Sequence, residues 1–170
     1  METLKQYLIP YLLSNIIFGL SIVAALKKPM VCRVFFATFF LWACYINSVT
    51  AIATPRVYLT YARLNALPFY SNFITGFFSQ HITLFVLMIA AGQLSIACGL
   101  VLNKKLTKFA CLGGIIFGMS IAPLGIGSAF PATISMAVAF YILSTRYKHN
   151  YIWKWKQYAT PSNKIKTYGI

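Results

Sequence analysis

Acid is almost missing from this chain. Among 170 residues there is one carboxylate side chain, Glu2, against fifteen Lys and Arg. Chemistry built on paired carboxylates, and oxygen cages for Ca²⁺ or Mg²⁺, need several such groups and are excluded. Charge of either sign is scarce as well, at 9% of residues, where soluble domains carry roughly 25%. A water-soluble globule is thereby all but ruled out. Disorder is ruled out by the 59% hydrophobic content and the mean hydropathy of +0.73, since disordered chains need low hydrophobicity. Histidine is limited to His81 and His149, and the four cysteines, Cys32, Cys44, Cys98 and Cys111, form no C-x-x-C pair. That spacing fits neither a disulfide framework, a zinc site nor a self-contained thiol–disulfide enzyme. Cysteines inside apolar runs act as small hydrophobes. No Ser-His-Asp set, Walker loop or dinucleotide fingerprint is present. No Gly/Ser-rich or Pro-rich linker and no internal repeat divides the chain, so residues 1–170 read as a single domain.

What is present is a series of long apolar runs punctuated by bases. A net charge of +14 can mark nucleic-acid binding, but these bases separate apolar runs instead of gathering on one face, which is the pattern of membrane loops. About 20 apolar residues cross a bilayer as a helix. Runs at about 7–26, 31–53, 82–102, 106–122 and 128–143 meet or approach that length, and together predict an all-α integral membrane protein of five spans. The first could instead be read as a signal peptide led by Lys5, although no small-x-small cleavage site precedes Lys27-Lys28. Residues 109–145 hold no charge; Pro123-Leu124-Gly125-Ile126-Gly127 supplies a turn between two short spans. Residues 66–78, 13 long with Pro68 and Gly76 inside, are ambiguous: runs of about 10–14 more often lie in the interface or re-enter than span. With the Tyr-rich stretch before them, they predict an outer interfacial segment over 58–78.

Five and six spans both divide the bases twelve to three. Only the five-span threading keeps Lys27, Lys28 and Arg33 on the cytoplasmic side, where the positive-inside rule weighs residues beside span ends most. The expectation is therefore an outside N-terminus and a cytoplasmic C-terminus. Arg33, in the first turn of its span, is expected to snorkel to the headgroups. The basic tail 146–170 alternates Trp153 and Trp155 with Lys154 and Lys156, a pattern suited to anionic lipid or to a specific partner.

Polar groups within spans are costly and often functional. Asn47, Ser48 and Thr50 lie in the second span and Gln93 and Ser95 in the third, where interhelical hydrogen bonding is the expected role. His81, at the outer end of the third span, is a weak haem-ligand candidate that would need a partner's ligand or a methionine such as Met88. Small residues at Ala90-Ala91-Gly92, Gly99, Gly113-Gly114 and Gly118 predict close helix approach, with Gly114 and Gly118 in GxxxG spacing between neighbours of one bundle.

Three stretches carry a resemblance. Arg33-Val34-Phe35-Phe36 through Phe40-Leu41-Trp42-Ala43 resembles the first helix of DoxX-like proteins. Tyr58-Leu59-Thr60-Tyr61 and Leu67-Pro68-Phe69-Tyr70 resemble the outer segment of that superfamily and its MauE branch. Ala91-Gly92-Gln93-Leu94 through Gly99-Leu100, with the basic turn Asn103-Lys104-Lys105, resembles its Gly-rich helix and tight turn. The likeness covers about 31–143 and implies an antiparallel four-helix bundle, with the first span added in front. It also implies association with redox systems, as a small subunit of a quinone-linked oxidoreductase or as a maturation factor. One departure is Gln93, where the family often has Glu: an amide hydrogen-bonds but carries no proton.

The expectation is a non-catalytic membrane subunit or assembly factor of a larger, redox- or quinone-linked complex in a bacterial inner membrane. Its partners are other membrane subunits and anionic lipid, not nucleic acid. Catalytic and metal-binding residues are expected to be absent, and any bound molecule to be quinone or lipid. Arg33 serves as an edge anchor or headgroup contact, Gln93 as a mid-bundle hydrogen-bonding group, and Trp42, Pro68, Phe69 and Tyr70 shape the outer surface. A small transporter, a quinone-reactive enzyme, or a bundle that only stabilises its neighbours are the rivals.

Overall fold

A computed structural model describes residues 2–64, 67–102 and 104–146, and every regular element among them is helical. Five helices carry the architecture: α1 (Glu2–Lys27), α2 (Pro29–Ala53), α5 (Ile82–Val101), α6 (Lys104–Ile121) and α7 (Ala132–Arg146). Two short ones, α3 (Tyr61–Leu64) and α4 (Pro68–Phe73), lie between α2 and α5. Prolines set three of the boundaries. Lys28 (φ −139°) precedes Pro29, Thr54 (φ −143°) precedes Pro55 and Leu67 (φ −126°, ψ 126°) precedes Pro68. Each residue before a proline is pushed out of the helical region by the ring. The proline itself sits comfortably in the first turn that follows.

Four stretches are long and apolar enough to cross a membrane: Leu8–Lys27, Pro29–Ala53, Ile82–Val101 and Lys105–Ser128. The last continues from α6 through a 3₁₀ turn, Ala122–Ser128, in which Gly125 takes φ 61°, a left-handed value that favours glycine. The apolar run expected to start a span at 128 therefore begins its helix at Ala132, after Pro131. α7 is apolar but, at 15 residues, about 22 Å long. Between Thr54 and His81 the described elements do not exceed six residues: a 3₁₀ turn Pro55–Thr60, α3, α4 and a π-helical turn Ile74–Phe78 broken at Gly76. The expected lipid anchor at Trp153 and Trp155 lies outside the described residues.

α2 packs on α5, α5 on α6, α6 on α7 and α7 on α1, which also touches α2. The centre is aromatic. Phe36 stacks on Phe140 with ring centroids 4.3 Å apart, and Phe40 meets Phe140 at 5.8 Å and Phe117 at 5.4 Å. Glycine on α6 makes room for this: a Cβ on Gly114 would fall 2.4 Å from the Phe140 ring, and one on Gly118 2.8 Å from the Thr133 carbonyl. The GxxxG spacing thus faces α7 of the same chain. Gly99 seats α6 in the same way, against Ala110. Gly92 does not: nothing lies within 4 Å of a Cβ placed there, so its lack of a side chain opens space rather than closing a contact.

The helices turn large apolar side chains outward, among them Ile9, Leu20, Ile52 and Phe109. In water such a continuous apolar exterior would aggregate; in hydrocarbon it is the solvated surface, while the helices satisfy their own backbone groups.

Candidate functional site

Arg33, Thr107 and Gln93, three of the polar residues buried in this apolar body, centre two clusters; buried Ser21 and Thr133 belong to neither. The first closes the end of the molecule where α1 meets α2 and α5 meets α6. Arg33 is 0% exposed. Its Nε and Nη2 donate to the Leu100 carbonyl at 3.1 and 2.5 Å. Nη2 also donates to the Leu102 carbonyl at 3.1 Å and to Thr107 Oγ1 at 3.0 Å. The last carbonyls of a helix have no partner within it and carry the negative end of its dipole. A buried guanidinium there both satisfies them and finds partial negative charge, in a chain whose one acid, Glu2, begins α1. The expected snorkelling is therefore corrected: the side chain turns inward and joins α2, α5 and α6, because bare carbonyls lie within its reach. Thr107, also fully buried, lies 3.2 Å from both the Gly99 and Leu102 carbonyls.

The second cluster lies toward the other end. Asn47 Nδ2 on α2 donates to Gln93 Oε1 on α5 at 2.9 Å, and the Tyr58 hydroxyl donates to Asn47 Oδ1 at 2.8 Å. Gln93 is 3% exposed. Burial pushes the Tyr58 phenol above its ordinary value, partly offset by a hydrogen bond with Thr50 and reinforced by Tyr61. The Tyr58 and Tyr61 rings stack at 6.2 Å, and the Tyr61 ring packs against Gly127, where a Cβ would fall 2.5 Å from it. Tyr70 donates to the Ser120 carbonyl at 2.9 Å, and Asn15 Nδ2 to the Ala129 carbonyl at 3.2 Å. These bonds gather the Pro55–Phe73 stretch, the 122–131 turn and the N-terminal half of α1 at one end.

Two cavities adjoin this cluster. The larger, about 920 Å³, runs between α5 and α6 from Val86 and Ile121 to Gly99 and Leu106. The smaller, about 410 Å³, lies among α1, the end of α2 and the Val57–Leu64 stretch. Asn47, Tyr58, Tyr61 and Gly127 line both and so stand between them. The groups offered here are amides, phenols and hydroxyls, which both donate and accept hydrogen bonds.

Other expected residues are spread out. Trp42 is 58% exposed on α2 against Phe39, Pro68 opens α4, and Phe69 is 75% exposed beside Tyr70. His81 precedes α5 as its cap residue, with its ring 5.4 Å from Phe77, away from both cavities. Cys32 and Cys111 are buried and Cys32 Sγ donates to the Ser21 carbonyl; all four cysteines are free thiols. Among the described residues, no group of three His, Cys, Asp or Glu is placed to hold a metal. Tyr58, Tyr61 and Gly127 form the partition, a role that sequence reasoning missed, reading the Tyr-rich stretch only as an interfacial signal. Thr107 gave no signal at all. No family model, no curated protein and no solved structure matches the chain.

Proposed function

We propose that the chain is a five-span membrane protein acting as a non-catalytic subunit or assembly factor of a larger complex in a bacterial inner membrane. In this reading α2, α5, α6 and α7 form an antiparallel four-helix bundle with α1 packed in front. The N-terminus and the 58–78 segment are outside, and the basic tail is on anionic cytoplasmic lipid. The observation that carries the reading is the employment of the interior polar groups: Arg33, Asn47 and Gln93 all bond to other helices or segments of the chain. These bonds hold the helices together, while aromatic surface at Trp42 and Phe69 is turned outward. The basic ends at Lys27-Lys28 and Lys105-Lys108 support the orientation. The redox and quinone link rests on the resemblance to DoxX-like proteins, as does membership of that superfamily.

Purification from native membranes in mild detergent, with mass spectrometry and a visible absorbance scan, tests this. Haem- or flavin-bearing subunits co-migrating in fixed ratio are the expected result. A lone, colourless protein would overturn the complex-subunit reading.

A further inference from the structure

The cavity between α5 and α6 has a direction. Its lining extends from Val86 to Gly99 on α5 and from Leu106 to Ile121 on α6, about 20 Å at the helical rise. At the end near the connecting segments the walls present Asn47, Tyr58, Tyr61 and Tyr70; at the other they are Gly99, Leu106, Phe109 and Ala110. Lining residues on both helices are exposed, Ile89 on α5 and Phe109 (70%) on α6, which is compatible with an entrance between the two helices. Among the described lining residues none is charged, and Lys105 and Lys108 belong to the apolar end of α6 and do not line the cavity. An anionic headgroup would find no cation there to neutralise it, whereas an uncharged one finds phenols and an amide. The volume lies within the range of small-molecule sites, about 300–1,000 Å³.

We infer that this cavity is a binding site for one neutral amphiphile, entered sideways from the membrane. Its hydroxyl- or carbonyl-bearing head hydrogen-bonds at the Asn47–Tyr58–Tyr61 partition, and its long apolar tail lies along α5 and α6. Acyl and prenyl tails share this chemistry. The inference goes beyond the subunit reading and rests only on the part of it that places the chain across a membrane.

The test uses the full chain in phosphatidylcholine vesicles with three photoreactive probes: a monoacylglycerol, a prenyl alcohol and a phosphatidic acid. Gly92 lines the cavity and a Cβ placed there meets no neighbour, so Gly92→Phe is the variant chosen to fill the site. Gly19→Phe, in equally open space on α1, is the control. One or both neutral probes should label α5 and α6 saturably, and whichever labels identifies the tail. Labelling should fall about tenfold in Gly92→Phe, a loss of roughly 1.4 kcal/mol of affinity, and stay unchanged in Gly19→Phe. Labelling spread evenly over all helices, labelling indifferent to Gly92→Phe, or equal capture of phosphatidic acid would overturn the site. Alkaline carbonate extraction of the same vesicles separates the two ideas: protein released from the membrane overturns the spanning reading instead.

Discussion

Arg33→Met is expected to destabilise the protein by about 3 kcal/mol or more, the range seen when one partner of a buried charged network is removed. The substitution keeps the length of the side chain and its apolar packing but withdraws every donor. The Leu100 and Leu102 carbonyls and Thr107 then lose the guanidinium that joins them to α2. Each buried acceptor left unsatisfied costs about 1–3 kcal/mol. Arg33→Lys keeps the charge, yet a single ammonium cannot reproduce the fork that reaches Leu100 through both Nε and Nη2. An intermediate loss is expected for it. Denaturant titration of the purified protein in mild detergent, following helicity, reads both variants. A midpoint unchanged in Arg33→Met would remove Arg33 as the tie between α2, α5 and α6.

Closing the space at Gly114 and Gly118 should produce the next largest loss. Phe140 is fully buried and stacked on Phe36, so its ring cannot swing clear of a methyl group built at Gly114. At Gly118 the obstacle is the Thr133 carbonyl, part of the α7 backbone, and only a shift of the helix relieves it. Overpacking of this kind costs about 1–3 kcal/mol per site. Gly118→Ala and Gly114→Ala are each expected to lose that amount. Gly19→Ala, in open space on α1, should be neutral or gain about 0.5–1 kcal/mol because alanine favours helix. The same titration compares the three. Equal midpoints for all would mean that the α6–α7 approach is not set by these glycines.

Much of the helical framework is legible in the sequence, because apolar run length and proline position are local signals. The runs at 31–53 and 82–102 fall on α2, Pro29–Ala53, and α5, Ile82–Val101. The start of the last helix was less legible: the residues from 128 are apolar enough to join it, but Pro131 and the left-handed Ala129 hold them in a turn. The interior polar groups were visible as residue types and invisible as partners. Asn47 and Gln93 stand out as amides in apolar runs, yet their pairing depends on the register between α2 and α5, which no single run encodes. Arg33 misled for a related reason. A base in a first turn is free to snorkel unless another helix ends beside it, and only the packed structure places the C-terminus of α5 there. The cavity was hidden altogether, since Gly92 reads as a packing residue until its empty surroundings are seen.

The central claim is that five spans cross the membrane with the Tyr-rich segment outside, and single-cysteine accessibility tests it most directly. With Cys32, Cys44, Cys98 and Cys111 replaced by alanine, reporter cysteines are placed at the exposed positions Lys28, Thr60, Lys105 and Phe130. In intact cells an impermeant maleimide should label Thr60→Cys and Phe130→Cys, and should reach Lys28→Cys and Lys105→Cys only after permeabilisation. Labelling of Lys28→Cys or Lys105→Cys from outside, or protection of Thr60→Cys, would contradict the threading and with it the account of the fold in the membrane.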